Sequence, residues 1–480
     1  MRTDVLRTAA ERNMFLSADA LEPIPSNPEP MAFMSNVLAA VAKNTLVIRR
    51  DDVLGLLSDD LTITETEPVV IRNKRQSDIS VIAGTDITGQ SMCEGTVSDF
   101  TSYFVSRYNS VRDIIRRNMG AVLSIKDAKE MDREVRIIGM VSGTSVSKNG
   151  HRTLRLEDDS GSCKALILKD SPFAEEIFVN DEVVGIVGSP MGDNRTTYSS
   201  RKDVTIMVRE VFRPSIPMET WNVSDSVSSV AFLSDIHVGS HTFLEEQWGR
   251  MTKWLRENAR RTDLDYIILP GDVVDGIGIF AGQQKELLID DIHKQYKRLA
   301  ECLKEIPDHI RIVLQPGNHD AVRLAEPQPA LSKAFSDYFD SNVMFTASPV
   351  GLNIEGRTVL TYHGRSIDDW VAGVQQLTYT DPVRIMEEML ERRHLAPMYG
   401  VKTALAPEKR DYLVIDKRPD IFVTGHVHGA NSREYKGIRL IAASTWQSQT
   451  EFQRMHNFNP EPAVMPIVHL GTGNTTMKQF

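Results

Sequence analysis

From residue 226 onward, short apolar runs alternate with stretches of helical period. Val227–Leu233, Tyr266–Leu269, Ile310–Leu314, Thr358–Thr361 and Ile421–Thr424 are continuous and short, as central strands are. Between them Leu244, Trp248, Met251 and Leu255 fall on one helical face, as do Leu288, Ile292, Leu299 and Leu303. Buried strands alternating with helices predict a layered α/β domain over residues 226–480, including a C-terminal tail.

Residues 121–213 follow a different period. Val135, Ile137 and Gly139 alternate with their neighbours, and Asn149-Gly150 is a two-residue hairpin signal. Leu154, Leu156, Ala165, Ile167, Val183–Val187 and Val204–Val208 supply further strands. Ser171 to Val179 predicts a short helix, with Ser171 as N-cap and Pro172 at its first position. Five strands with a helix between the third and fourth is the order of an OB-type β-barrel. Residues 213–225, with Pro214 and Pro217, read as a linker.

The front of the chain predicts a small helical module over residues 1–57. Residues 1–20 have an amphipathic pattern, Pro23, Pro25, Pro28 and Pro30 form a stiff spacer, and helical patterns return around Met34–Val41 and Asp51–Leu57. Residues 58–120 read as a linker and a helix. Ser58 to Gly95 is polar with weak strands such as Val69–Ile71; Asp99–Asn118 is helical and carries Arg112, Arg116 and Arg117.

Composition narrows the class. The 480-residue chain is 41% hydrophobic and 25% charged, ordinary for a soluble protein with several domains. Its net charge of -10 argues against broad, charge-driven coating of nucleic acid, leaving open a local basic patch or a partner that holds it. Cys93, Cys163 and Cys302 have neither zinc nor redox spacing. The charged N-terminus is no secretory signal, and runs such as Val37 to Ala42 are too short to span a bilayer. A cytoplasmic protein that is not membrane-embedded is expected.

Five segments carry the chemistry, each ending an apolar run. They are Ser234-Asp235-Ile236-His237, Gly271-Asp272-Val273-Val274-Asp275, Gly317-Asn318-His319-Asp320, Tyr362-His363-Gly364 and Gly425-His426-Val427-His428. Asp235 and His237 are two apart, so an extended backbone projects both to one side; His426 and His428 share that spacing. Gly271 allows a sharp turn before Asp272, whose carboxylate is the natural bridge between two cations. Singly, each segment is ordinary turn chemistry. Their order after successive strands points to two adjacent divalent metals and to hydrolysis of a phosphate ester.

The five segments resemble the calcineurin-like metallophosphoesterase superfamily in order and type. Asp235 to Ser240, His394 to Gly400, Pro407 to Ile415, Ser444-Thr445-Trp446-Gln447 and Met465-Pro466 are similar to the small subunit of the archaeal D-family DNA polymerase. This likeness spans roughly residues 121–470 and matches the first 120 only loosely. It implies one metal held by Asp235, His237, Asp272 and His428, and a second by Asp272, Asn318, His363 and His426, with Mn²⁺ or a similar first-row ion suited to such donors. His319, beside Asn318 and without a metal role, is assigned as proton donor to a leaving 3′-oxygen or as a stabiliser of transition-state charge, with Asp320 orienting it; Asp275 is read as a supporting carboxylate. Trp446 and Gln447 would shape either the site or the core.

The function implied is a 3′→5′ exonuclease that proofreads for a replicative polymerase. Its partners would be a large catalytic polymerase subunit and DNA 3′ ends, with residues 1–120 docking to that subunit or to a sliding clamp. Two alternatives stay open: a non-catalytic scaffold subunit, and a free-standing phosphatase or phosphodiesterase acting on small molecules.

Overall fold

The computed structural model describes residues 78–191, 204–455 and 458–480, and the strand pair Phe15–Leu16 and Val47–Ile48. The chain divides into two units, Met1–Gln76 and Ser77–Phe480. In the first, Phe15–Leu16 runs parallel to Val47–Ile48. Phe15 and Leu16 are therefore strand, not helix as expected for residues 1–20; their β-branched partners Val47 and Ile48 favour extended backbone. The remaining helical expectations over residues 1–57, and the strand expected at Val69–Ile71, lie outside the described residues.

The second unit is built around two six-stranded sheets. One contains β7 (Ser229–Phe232), β8 (Leu264–Leu269), β9 (Arg311–Leu314), β10 (Val343–Phe345), β16 (Val464–His469) and β17 (Thr475–Gln479), in the order β10-β9-β8-β7-β16-β17. Its first four strands are parallel. The other contains β1 (Ile79–Val81), β11 (Val350–Ile354), β12 (Arg357–Thr361), β13 (Ile421–Thr424), β14 (Ala430–Tyr435) and β15 (Ile438–Ala443), in the order β14-β15-β13-β12-β11-β1. Here β12, β13 and β15 are parallel. Residues 79–81, in a stretch expected to be linker with one or two weak strands, pair with β11 as an edge strand. The β-branched Ile79 and Val81, alternating with Ser80, suit that half-covered position.

The sheets face each other across Val230, Phe232, Tyr266, Ile268, Leu352, Val359, Ile421, Val423 and Ile441. On the outer face of the first sheet pack α2 (Glu245–Asn258) and α3 (Ile292–Lys304), through Trp248, Met251, Leu255, Tyr296, Leu299 and Leu303. On that of the second pack α4 (Ile367–Gly373) and α5 (Pro382–Arg392), through Trp370, Ile385, Met386, Met389 and Leu390. The result is the expected layered α/β arrangement. Leu288 departs from expectation: it precedes α3, which Asp291 caps by accepting from the Lys294 amide, and is 66% exposed. Among the described residues no helix is long and apolar enough to cross a membrane.

A closed barrel is formed by β2 (Val135–Val146), β3 (Arg152–Asp158), β4 (Gly161–Ile167), β5 (Val183–Met191) and β6 (Thr205–Phe212), in the order β2-β3-β4-β6-β5. Two local expectations differ. At Asn149-Gly150 only Gly150 has a positive φ, and its amide donates to the Ser147 carbonyl, so the connection is a longer loop. Residues 171–176 form turns, with the Ala174 amide donating to the Ser171 carbonyl and the Glu176 amide to that of Phe173, and residues 177–179 continue as irregular chain. The Val179 amide, which a helix would direct to the Glu175 carbonyl, instead donates to Glu182 Oε1.

Helix α1 (Val97–Met119) joins the barrel to the layers. Thr96 and Asp99 form a reciprocal capping box at its start. Val111, Ile115 and Met119 pack on Ile138, Val183 and Val187 of the barrel. Arg107, fully buried, donates to Asp411 Oδ2 at 2.8 Å, to the Pro397 carbonyl at 2.5 Å and to Tyr103 Oη at 3.2 Å. Asp411 Oδ2 also lies 2.8 Å from His394 Nε2, while the Ala396 amide donates to His394 Nδ1. The two stretches at His394–Gly400 and Pro407–Ile415 are thus the dock for α1. A second buried link ties the barrel to α5: Glu182 Oε2 meets Arg213 Nη1 at 2.5 Å and Arg392 Nε at 2.9 Å.

Candidate metal centre

The five segments follow the C-terminal ends of β7, β8, β9, β12 and β13, all parallel strands. Asp235, His237, Asp272 and Asn318 come from one sheet, and His363, His426 and His428 from the other, so the cluster straddles the seam between them. Three groups form there, Asp235 with His237 and His428, Asp272 with His363 and His426, and His237 with Asp275 and His319; within each, candidate ligand atoms lie within 4.8 Å of one another, and the first two hold the residues expected as ligands.

Local backbone is bent to achieve this. Asp235, His237, Asp272, His426 and His428 all have φ between 49° and 68°, a region costly for residues with a side chain. Two glycines provide space: a Cβ on Gly425 would lie 1.9 Å from Ser234 Oγ, and one on Gly317 would lie 2.2 Å from Asp272 Oδ1.

In the first group, His237 Nε2 lies 3.3 Å from His428 Nε2, and His428 Nε2 lies 3.3 Å from Asp235 Oδ1. His237 Nδ1 faces Asp275 Oδ1 at 3.1 Å. Asp275 is held by the amides of Gln283 and Gln447, and Gln453 Nε2 lies 2.9 Å from His428 Nδ1. In the second group, His363 Nδ1 donates to the Pro270 carbonyl at 2.9 Å, while its Nε2 faces Asn318 Oδ1 at 3.1 Å and Asp272 Oδ2 at 3.3 Å.

These donors fit divalent cations. His237 and His363 each commit Nδ1 to an oxygen acceptor, which leaves Nε2 lone pairs converging on carboxylate and amide oxygens. Asp235 Oδ1 is buried with no hydrogen-bond donor. Imidazole, carboxylate and amide together form a hard-to-borderline donor set.

The electrostatics agree. Burial opposes charge on Asp272, yet His363 and His319 hold its carboxyl well below the usual range. Burial lowers the His363 imidazole, but Asp272 outweighs it and pushes the group up to about 9. Below that pH a proton occupies the position a cation would take. Divalent-ion binding is therefore expected to release protons and to tighten as pH rises towards 9. Calorimetric titration of Mn²⁺ in buffers of different ionisation enthalpy measures this directly, and a pH-independent affinity would contradict it.

The Gly317–Asp320 segment differs from expectation in one respect. Asp320 does not orient His319. Its Oδ2 accepts from the Gly317 amide at 2.8 Å and its Oδ1 from Tyr296 Oη at 3.0 Å, so it shapes the turn carrying Asn318. Burial, then the Asp272 charge, push its carboxyl up to about 7. His319 Nδ1 instead donates to the Asp275 carbonyl at 2.7 Å, and its amide donates to Asp272 Oδ1 at 2.8 Å. His319 Nε2 then faces the cluster, 4.0 Å from Asp272 Oδ2.

Asp368, Gln283 and Gln453 were not singled out by sequence. Asp368 Oδ1 lies 3.4 Å from His426 Nε2, but nothing in its local pattern marks it beyond falling five residues after His363. Trp446 is core: fully buried and edge-on to Trp248.

Residues 228–430 match the calcineurin-like phosphoesterase family, so fold and site together define a metallophosphoesterase domain, a class that works with divalent metals. The chain is 41% identical to the DNA polymerase II small subunit of Thermoplasma acidophilum over 392 residues, which is 80% of this chain and 78% of that protein. It is 38% identical to that of Methanothermobacter thermautotrophicus over 418 residues, 84% of each chain. Identity to the Halobacterium salinarum protein is 32%, over 99% of this chain and 98% of that one. The chain belongs to the archaeal DNA polymerase II small subunit family.

Proposed function

We propose that this protein is the 3′→5′ exonuclease subunit of a two-component DNA polymerase and removes nucleotides from DNA 3′ ends. The observation that carries the reading is the pair of ligand groups at the seam, complete in donors and backed by Asp275, Gln283 and Gln453. Asp235, His237, Asp272 and His428 would hold one ion and Asp272, Asn318, His363 and His426 the other, with Mn²⁺ the expected metal. When bound, the two ions supply Lewis-acid activation of water and neutralise phosphate charge.

The chain's own residues do the rest. Asp275 fixes the tautomer of His237, and the Pro270 carbonyl that of His363. His319, with Nδ1 tied to a carbonyl, presents Nε2 as the proton donor to the leaving 3′-oxygen. His319→Ala is expected to lower kcat by about a hundredfold or more with a smaller change in KM. Single-turnover and steady-state rates on one oligonucleotide separate the two; a change confined to KM would remove His319 from proton transfer.

The strand order of residues 135–212 supports an OB-type barrel, and residues 121–213 and 226–480 are read as separate modules behind a small N-terminal region, 1–57, and a connecting stretch, 58–120. The relatives' designation as small subunits supports a large catalytic subunit as partner, in a cytoplasmic heteromer. A sliding clamp is a further candidate partner for residues 1–120. Purified protein with Mn²⁺ should shorten a 5′-labelled oligonucleotide with a mismatched 3′ end one nucleotide at a time. Turnover of a small aryl phosphate diester but of no DNA would favour the small-molecule alternative. Absence of both activities, with retained binding to the large subunit, would favour the scaffold.

A further inference from the structure

At the rim of the cluster, on the His426 side, stands a cation that neither ligand group uses. Arg365 lies two residues after His363. Its Nη1 pairs with Asp368 Oδ2 and sits 3.4 Å from His426 Nε2. Asp368 is itself anchored, accepting from Tyr379 Oη at 3.0 Å. The guanidinium is therefore held in place by one edge. Its Nε and Nη2 have no partner among the described residues, and the side chain is 30% exposed where His363 is 0%. A guanidinium with one edge braced and the other open is a preformed fork for an anion, and phosphate is the anion whose geometry it matches.

We propose that Arg365 binds a phosphate adjacent to the one that is cleaved, making the site select polynucleotides over single-phosphate esters. The inference rests on the phosphodiesterase reading above and adds a substrate class to it. Two observations favour the neighbouring phosphate over the reacting one. The open edge belongs to an exposed group at the rim, whereas Asp235, His237, Asp272 and His363 are at most 3% exposed. In addition, Asp368 already balances the charge of Arg365, so it adds little positive field at the cluster, while its remaining N–H groups can still donate.

The test compares wild type, Arg365→Ala and Arg365→Lys on three substrates: a bis-aryl phosphate, an ordinary DNA oligonucleotide, and the same oligonucleotide with a neutral methylphosphonate next to the cleaved linkage. Arg365→Ala should raise KM for the ordinary oligonucleotide about tenfold or more, with kcat and the aryl ester altered less than about twofold. Arg365→Lys should recover part of the loss, as a point charge without the fork. The methylphosphonate should bring wild type to the level of Arg365→Ala and leave that variant unaffected. Calorimetric Mn²⁺ titration of the variants should match wild type, which separates phosphate binding from damage to the neighbouring His426. Equal losses on ester and oligonucleotide, an altered Mn²⁺ affinity, or a methylphosphonate effect that persists in Arg365→Ala would each overturn the proposal. A wild-type protein inert on all three substrates would overturn the phosphodiesterase reading, and this inference with it.

Discussion

Asp272→Asn is expected to abolish phosphodiester cleavage, lowering kcat by about a thousandfold or more while leaving the fold intact. Asp272 lies between His363 and His319. Its Oδ1 accepts from the His319 amide, and its Oδ2 faces both His363 and His319. An amide preserves shape and keeps one acceptor, but it removes the charge that both ions would share. It also removes the charge that holds His363 protonated when no cation is bound, so the imidazole should titrate well below 9 in the variant. Far-UV circular dichroism checks folding, gel assays check cleavage, and NMR titration of His363 checks the charge argument. Wild-type turnover in the variant would separate the cluster from the chemistry.

The second large effect concerns stability. Arg107→Ala should cost about 3–5 kcal/mol, because it strips the buried Asp411 carboxylate of its charged partner and leaves only His394 and backbone donors. Urea unfolding measures the loss. A cost within the range of surface substitutions would show that Asp411 finds other partners. The same network predicts a pH dependence. The Ala396 amide donates to His394 Nδ1, so the folded imidazole is neutral, and burial, then Arg107, lower it to about 4. The unfolded chain takes up a proton below about 6.5 and the native chain only near 4. This contribution to stability is complete above the first value and is lost as pH falls through that window.

Much of this site was legible because its ligands sit at strand ends. A strand fixes direction and the following residue leaves the sheet, so Asp-x-His and His-x-His spacings survive translation into space. The strands themselves were legible as uninterrupted apolar runs, since both faces of β7, β8 and β13 are covered. What could not be read was which of several possible partners each individual group takes. Asp320 resembles the natural partner of its neighbour His319, yet Tyr296 and the Gly317 amide claim it. Ser171 and Pro172 carry a helix-start signal, but Glu182 takes the Val179 amide that the helix would have used. Edge strand β1 lies in a polar stretch and gains its structure only from β11.

The position of the cluster has a consequence for how the protein can be taken apart. Each sheet brings only some of the donors, and the segments that bring them are separated in sequence by other strands and helices. No fragment that carries one layer alone inherits either ligand group whole. Loss of register between the two halves separates the donors, so ion binding and the mating of the two layers stand or fall together.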